Sequence, residues 1–411
     1  MLSLLEKWAV DGRLALGVLL LSLFGVAMIY SAGAVNTPDP VATDAWRRQV
    51  IWFASALLAF TLVARIPLRW WEWAAIPAYV ITLVLLAATL VIGTGAGTAE
   101  GTKSWIGFGA FRFQPAELAK LATVLALARL LATRSEAPTG LRDLLAPGLL
   151  VAAPLGFVML QPDLGSGMAF VGVLYAMLYW AGTPPLMLFL VASPIAGLIL
   201  SFDTPIWSGY IVILLLVLYL YRYRLFLYES AAVILVNVAA GAVAAPLWRS
   251  FRPYQQNRLL VFLDPSVDPK GAGYNLLQSK VAIGSGGISG KGYLLGTQKR
   301  LDFLPEQHTD FIFSVIGEEL GFVGVVVALL LFGYVLYRLV RMAEAANDPF
   351  AGLVLFGIFG LWLVHIFVNT GMTVGIVPIT GIPLPFVSYG GTFLLASWTA
   401  AGMAARLAHE R

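Results

Sequence analysis

Apolar runs of about 20 residues recur along the whole chain, the length a helix needs to cross the hydrocarbon of a bilayer. They fall near 12–34, 49–65, 72–93, 115–133, 143–160, 164–181, 185–201, 207–221, 226–246, 310–340, 350–372 and 388–407. In lipid the backbone has to satisfy its own hydrogen bonds, so such runs are helices. The pattern predicts an all-α polytopic membrane protein with about 10–12 transmembrane helices, folded as one domain over 1–411. No repeat and no low-complexity tract breaks it.

The polar intervals set a direction. With the N-terminus in the cytoplasm, the cytoplasmic side holds Lys7, Arg13, Arg65, Arg69, Arg129, Arg134, Arg142, Arg222, Arg224, Arg338, Arg341, Arg406 and Arg411. Short outer loops hold only Arg47, Arg48, Lys103 and Arg112. This is the bias that short cytoplasmic loops show. Both termini are then cytoplasmic and the segment 247–309 faces outward. That segment has about 63 residues in a chain otherwise joined by tight turns. A long ordered loop on a rigid scaffold is more often functional than not. Met1–Val10 precedes a full-length span, so the first segment reads as an anchor that stays rather than a cleaved signal.

Composition agrees. The 411 residues are 59% hydrophobic and 12% charged, with a mean hydropathy of +0.84. That is about half the charge of a soluble domain. The net charge of +4 sits mostly at helix ends, where topology needs it, and does not point to nucleic acid. With no cysteine, disulfides and thiolate metal sites are excluded.

The long loop carries the chemistry. It contains Arg258-Leu-Leu-Val-Phe-Leu-Asp264-Pro-Ser-Val-Asp268-Pro-Lys-Gly-Ala-Gly-Tyr274, then Gln278-Ser-Lys280 and a glycine-rich run to Lys291-Gly292. It closes with Phe303-Leu-Pro-Glu306-Gln-His308-Thr-Asp310-Phe. Elsewhere stand Phe113-Gln-Pro-Ala-Glu117-Leu-Ala-Lys120, Gln161-Pro-Asp163-Leu-Gly, Asn369-Thr-Gly-Met-Thr-Val-Gly and Pro378-Ile-Thr-Gly-Ile-Pro-Leu-Pro-Phe-Val-Ser388-Tyr-Gly-Gly391.

Together, and in this order, these motifs resemble the SEDS family of membrane glycosyltransferases, with the short N-terminus and the Asn369 stretch favouring its RodA-like branch over FtsW. The resemblance runs from the first span to Gly391. It implies a peptidoglycan glycosyltransferase of the bacterial cytoplasmic membrane. The enzyme would join lipid II to a growing glycan strand, release undecaprenyl diphosphate, and work with a class B penicillin-binding protein and other elongation-machinery membrane proteins. Family members of this branch have ten spans. Here 185–246 holds three apolar runs, two more than expected, and an even insertion leaves the sidedness of the loop unchanged.

The resemblance implies that Asp264 is the general base, since it matches the family's loop aspartate; by itself an Asp-Pro pair would only start a turn. Asp268 reads as turn-forming. Glu117 and Lys120 share one helical face, and ionisable groups inside a membrane mark functional cavities or structural ion pairs. Asp163 is placed to pair with Lys120. Arg48 either snorkels or, by resemblance, binds diphosphate. Lys103 and Trp105 sit in an aromatic, cationic stretch, 101–113, suited to the outer interface and to substrate entry. Arg258, at the start of the loop motif, is a candidate substrate-binding residue; Lys280, Lys291, Lys299 and Arg300 make the loop basic, either as a solvated surface near headgroups or as a guide for the diphosphate and the anionic glycan product. Glu306 and His308 stand where the chain re-enters the membrane. A histidine there could orient a carboxylate, bind phosphate or ligate a metal; capping the next helix or orienting is the favoured reading of His308, with Thr309 or Asp310 as alternative caps. Ser388 belongs to a proline-rich segment whose irregular backbone would line a cavity. His365 and His409 read as incidental. A divalent cation, Mg or Mn, would suit the leaving diphosphate, though no dedicated metal spacing is present. The glycine run fails as a phosphate loop, because Lys291 precedes Gly292 rather than Ser or Thr. Two other classes fit the chain: a flippase for the same lipid, suggested by buried charge, and a non-catalytic scaffold.

Overall fold

The computed structural model describes residues 11–36, 43–95, 103–108, 111–134, 136–221, 227–251, 253, 254–269, 271–301 and 303–408. Met1–Val10 with Lys7, the arginines at 222, 224 and 411, His409, and residues 101–102 and 109–110 of the aromatic stretch lie outside the described residues. The chain opens with α1 (Gly12–Ala32), α2 (Ala45–Val63) and α3 (Leu68–Ile92). A two-stranded antiparallel hairpin follows, β1 (Ile106–Phe108) and β2 (Phe111–Phe113), with Ile106 opposite Phe113. Next come α4 (Pro115–Ala132), α5 (Leu141–Leu160), α6 (Leu164–Trp180), α7 (Pro185–Leu200), α8 (Thr204–Leu220) and α9 (Leu227–Ser250). The loop region holds α10 (Pro253–Leu263), a 3₁₀ turn at Pro265–Val267, α11 (Ala272–Gly286) and the single turn α12 (Thr297–Arg300). The chain ends with α13 (Ile312–Ala345), α14 (Pro349–Val374) and α15 (Gly391–Leu407).

Twelve of these helices have sixteen residues or more among the described residues, one for each apolar run. Six of them, α1, α3, α5, α9, α13 and α14, are long and apolar enough to cross a membrane, and α6, α7 and α8 are shorter apolar helices. Their starts obey ordinary capping chemistry. Asp11, Asp163, Asp203 and Asp348 accept bonds from the first free N–H groups of α1, α6, α8 and α14. Proline occupies the first turn of α4, α7 and α14, where its missing N–H costs nothing.

Position in the bundle explains composition. Helix α4 is buried along most of its length, including Glu117 and Lys120, so protein rather than lipid surrounds its charges. Helix α14 is likewise central, packed on α13, α6 and α4, while α15 packs on α2. By contrast α3 and α8 bury few residues and keep apolar faces outward. Helices α7, α8 and α9 form a side cluster, with α8 packed mainly on α7 and α9. A polar knot holds it together: Asn237 donates to Ser193 Oγ at 2.8 Å and accepts from Tyr210 at 2.7 Å. Side-chain bonds of this kind tie helices in an apolar solvent that gives no hydrophobic drive.

The first N–H of α1, at Asp11, bonds the carbonyl of Ala405 near the end of α15, and Asp11 pairs with Arg338 late in α13. The start of α1 and the end of α15 therefore share one end of the bundle. The segment 247–309 lies at the other end, where Asn36 bonds the Arg300 carbonyl.

That segment is less of a loop than the sequence suggests. Helix α11 packs against α13 and α14, and Ser279 Oγ meets Ser314 Oγ at 2.7 Å and donates to the Thr373 carbonyl at 2.6 Å. The glycine run after it serves close backbone packing. Gly321 interrupts α13 with φ +63, which frees backbone groups on both sides of the break. The glycine run satisfies them: Lys291 and Gly292 N–H donate to the carbonyls of Glu318 and Glu319, while Phe322 and Val323 N–H donate to Gly287 and Ile288. A Cβ on Gly290 would strike the Glu319 carbonyl.

Candidate active site

At the loop end of the bundle, α4, α6, α10 and the segment before α13 surround a cavity of about 270 Å³. Its lining includes Trp105, Gln114, Glu117, Asp163, Arg258, Glu306, Asp310, Tyr389 and Phe393. One wall is the irregular backbone of Ile379, Thr380, Gly381, Ile382 and Pro383, as the prolines predict. Asn369 pins that wall by donating to the carbonyls of Asp310 and Ile382, at 3.0 and 2.8 Å.

Five of the twelve residues singled out from the sequence meet here: Trp105, Glu117, Asp163, Arg258 and Glu306. Arg48 lies just outside, its guanidinium 5.9 Å from the Tyr389 ring centre. His308 stands behind the same ring at 5.5 Å, and its carbonyl accepts from Tyr389 N–H. Ser388 is buried and structural: it donates to the Thr309 carbonyl at 2.6 Å and accepts from Leu384 N–H at 2.8 Å. Lys103 and Lys280 are exposed and do not line the cavity.

Asp264 is also exposed and outside the lining. It follows α10, whose Arg258 reaches the cavity six residues earlier. Its Oδ1 accepts from the Ser266 hydroxyl at 2.7 Å and from Ser266 N–H at 2.9 Å. These two bonds hold its carboxyl below the usual carboxylate range, the hydroxyl being the larger cause. Locally, Asp264 starts the turn that any Asp-Pro pair would start.

Several expectations need correction. Lys120 does not pair with Asp163. It reaches Glu117 at 2.8 Å and His365 Nε2 at 3.1 Å, because Glu117 lies one turn away on the same helix while Asp163 is occupied. Asp163 caps α6 through Ser166 N–H at 2.9 Å and accepts from Gln114 at 3.2 Å. His365 is therefore not incidental. Helix α13 is capped at Phe311 without any side-chain bond, so neither His308, Thr309 nor Asp310 caps it. Instead Thr309 Oγ1 donates to Glu306. The basic guide loses two members: Lys291 pairs with Glu318 at 2.7 Å, and the buried Lys299 pairs with Glu319 and donates to the Ser31 carbonyl at 2.6 Å. Burial lowers the Lys299 ammonium below its usual range despite Glu319.

The residue that sequence reasoning undervalued is Asp310. Burial, reinforced by Glu306, pushes its carboxyl up to about 7 against the pull of Arg258. Its signal was already present, as an aspartate three residues from Glu306's neighbour Gln307 at the mouth of a span, but a cap explained it equally well. Among the described residues, four carboxylates thus face one lining cation, Arg258. Such a cavity can bind sugar hydroxyls and host a carboxyl able to exchange a proton near neutral pH. Among the described residues no three His, Asp or Glu side chains gather as metal ligands.

A multi-pass bundle of apolar helices with a carboxylate-rich cavity opening at one end defines a membrane protein built around a polar substrate. A sequence profile of the FtsW/RodA/SpoVE family, described as cell cycle protein, matches residues 13–226 and 184–411, and the chain belongs to that family. The two matched stretches overlap across α7 and α8. Peptidoglycan glycosyltransferase RodA of Treponema pallidum is 33% identical over 96% of both chains. Probable peptidoglycan glycosyltransferase FtsW of Geobacter metallireducens is 35% identical over 98% of this chain and 95% of its own. A chain from a solved peptidoglycan synthase complex, in which polymerization and crosslinking are structurally coordinated, superposes with a TM-score of 0.71 at 30% identity, covering 98% of each chain.

Proposed function

We propose that this chain is a peptidoglycan glycosyltransferase that polymerises lipid II at the outer face of the cytoplasmic membrane. The observation that carries the reading is the carboxylate cavity with Arg258, set at the bundle end opposite the start of α1 and the end of α15, in a chain whose relatives are named for this activity. The acceptor's 4-hydroxyl oxygen attacks the anomeric carbon of the donor. A carboxylate takes the hydroxyl proton, and the bond to the diphosphate breaks with its electron pair leaving on oxygen. The alpha-linked diphosphate gives way to a beta-1,4 bond, so the centre inverts, by analogy with glycoside chemistry. Arg258, with Arg48 beside Tyr389, meets the growing negative charge. Glu117, Asp163 and Glu306 orient sugar hydroxyls.

Asp264 is the proposed base. The family motif supports it, and its exposed, ionised carboxylate is open to a glycan approaching the mouth. A specific observation favours a second reading, with Asp310 as base: it lines the cavity and titrates near 7, close to the ideal for proton abstraction at neutral pH. A divalent cation would be held by one or two cavity carboxylates together with diphosphate oxygens, as Mg is where few protein ligands are on offer, and would stabilise the leaving charge. The structural relative's coordination of polymerization with crosslinking supports a class B penicillin-binding protein as partner in cell elongation, the RodA-like role.

The test is polymer formation from purified lipid II by the reconstituted full chain, with and without chelator. Asp264→Ala and Asp310→Asn are run beside it. Translocation of labelled lipid without polymer replaces this reading with a flippase. A correctly folded Asp264→Ala that polymerises at the normal rate removes Asp264 from the chemistry.

A further inference from the structure

His365 is fully buried in the middle of α14, yet both ring nitrogens are engaged. Nε2 lies 3.1 Å from Lys120 Nζ, and Nδ1 lies 3.1 Å from the Pro383 carbonyl. A lysine ammonium can only donate, so Nε2 accepts. Nδ1 therefore carries the proton and donates to Pro383. One neutral tautomer satisfies both contacts.

The same ring stacks on Phe393, centroids 4.8 Å apart, and Lys120 Nζ stands 5.6 Å from that phenyl centre. Phe393 and Pro383 both line the cavity. The ammonium's remaining reach goes to both oxygens of Glu117, each at 2.8 Å, and Glu117 is the member of the trio that faces the cavity. One turn further along α14, Asn369 grips the adjacent Ile382 carbonyl. A single face of α14 thus holds the cavity wall and the charge beneath the floor.

We propose that His365 is a positioning residue: by accepting a hydrogen bond from Lys120 it aims the ammonium at Glu117, and so orients the cavity carboxylate that binds the sugar. This rests on the polymerase reading for its activity arm. Without the acceptor, Lys120 keeps one buried proton unpaired and swings, and Glu117 follows it. The Pro383 contact keeps the ring in place but does not act on the substrate.

Three variants separate these roles. His365→Phe keeps the stack and loses both polar contacts. A glutamine amide reaches the place of Nε2, so His365→Gln restores the contact to Lys120. An asparagine amide reaches only the place of Nδ1, so His365→Asn restores the contact to Pro383 alone. The expected polymerisation rates are a loss of about tenfold to a hundredfold for His365→Phe, recovery of most of it in His365→Gln, and no recovery in His365→Asn, with the last two equally heat-stable. In a Glu117→Gln background His365→Phe should cost less than about twofold more, because the group it orients is gone. Asparagine matching glutamine, or an undiminished cost in the Glu117→Gln background, overturns the inference. Nitrogen NMR of labelled histidine in bilayers gives a readout independent of turnover. The chain has three histidines, and His365→Phe assigns the signal. A ring protonated on Nδ1 is expected, with loss of that bias in Lys120→Met. A ring protonated on Nε2 overturns the inference even if the wild-type chain makes no polymer, whereas absence of polymer with the expected tautomer sinks only the polymerase reading.

Discussion

Replacing Lys120 by methionine keeps the volume of the side chain and removes its charge. The ammonium is 1% exposed and Glu117 is 4% exposed, 2.8 Å apart. At that separation the attraction is about 6 kcal/mol with an effective dielectric near 20. Most of it offsets the desolvation of two buried ions, so the pair adds little net stability over an apolar pair. Removing one partner is different. Glu117 would remain a buried, unpaired carboxylate, and breaking a buried pair costs about 3–5 kcal/mol. The double variant Lys120→Met with Glu117→Gln leaves no stranded charge and should recover at least half of that loss. The assay is unfolding of the purified chain in detergent, followed by the four members of the cycle. If Lys120→Met is as stable as wild type, or the double variant is less stable than Lys120→Met alone, the pair is not the buried, mutually dependent unit described above.

The pH profile separates the two base candidates. If Asp310 is the base, the rate rises through about pH 7 as it ionises, and Asp310→Asn loses that limb with a fall of about 10²–10⁴-fold; with Asp264 as base the rate is level across this window. Since the folded state raises the Asp310 carboxyl above its unfolded value, the group favours folding when protonated. That stability is complete below about pH 4 and is lost as pH rises through about 7, a slope that Asp310→Asn should remove from thermal melts. Gly290 sits at φ +79 against the Glu319 carbonyl, so Gly290→Ala should cost more than about 1 kcal/mol and open the loop to protease, measured by limited proteolysis. Asn237→Leu breaks the knot that ties α9 to α7 and α8; each such bond in lipid contributes about 0.6–2 kcal/mol, so heat stability should fall with polymerisation unchanged.

How much of this was legible in advance varied with the kind of interaction. Each apolar run became a helix within a few residues of its expected bounds, because hydrocarbon leaves the backbone no alternative. The region 247–309 was not legible: α11 has the polar face of a loop helix, and only Ser314 and the Thr373 carbonyl reveal why Ser279 belongs inside. The spacing of Glu117 and Lys120 put them on one helical face, but the pairing itself was expected with Asp163 and went to Glu117 instead. His365, distant in sequence, could not be joined to them, and Lys291 and Lys299 looked like free cations until Glu318 and Glu319 met them.

The sequence by itself therefore determined the class of solvent this chain folds in, the number of long helices, and that the long loop lies at the end of the bundle away from the start of α1, since these follow from the length and number of hydrophobic runs along the chain. Only the tertiary structure decided which charges are spent on one another and which face the cavity. Asp163 turned to Gln114, Lys120 to His365, and Asp310 into a cavity beside Glu306. The reason is physical: burial makes every ionisable group find a partner or shift its proton affinity, and partners are chosen by helix packing across the bundle, which spacing along one chain does not encode.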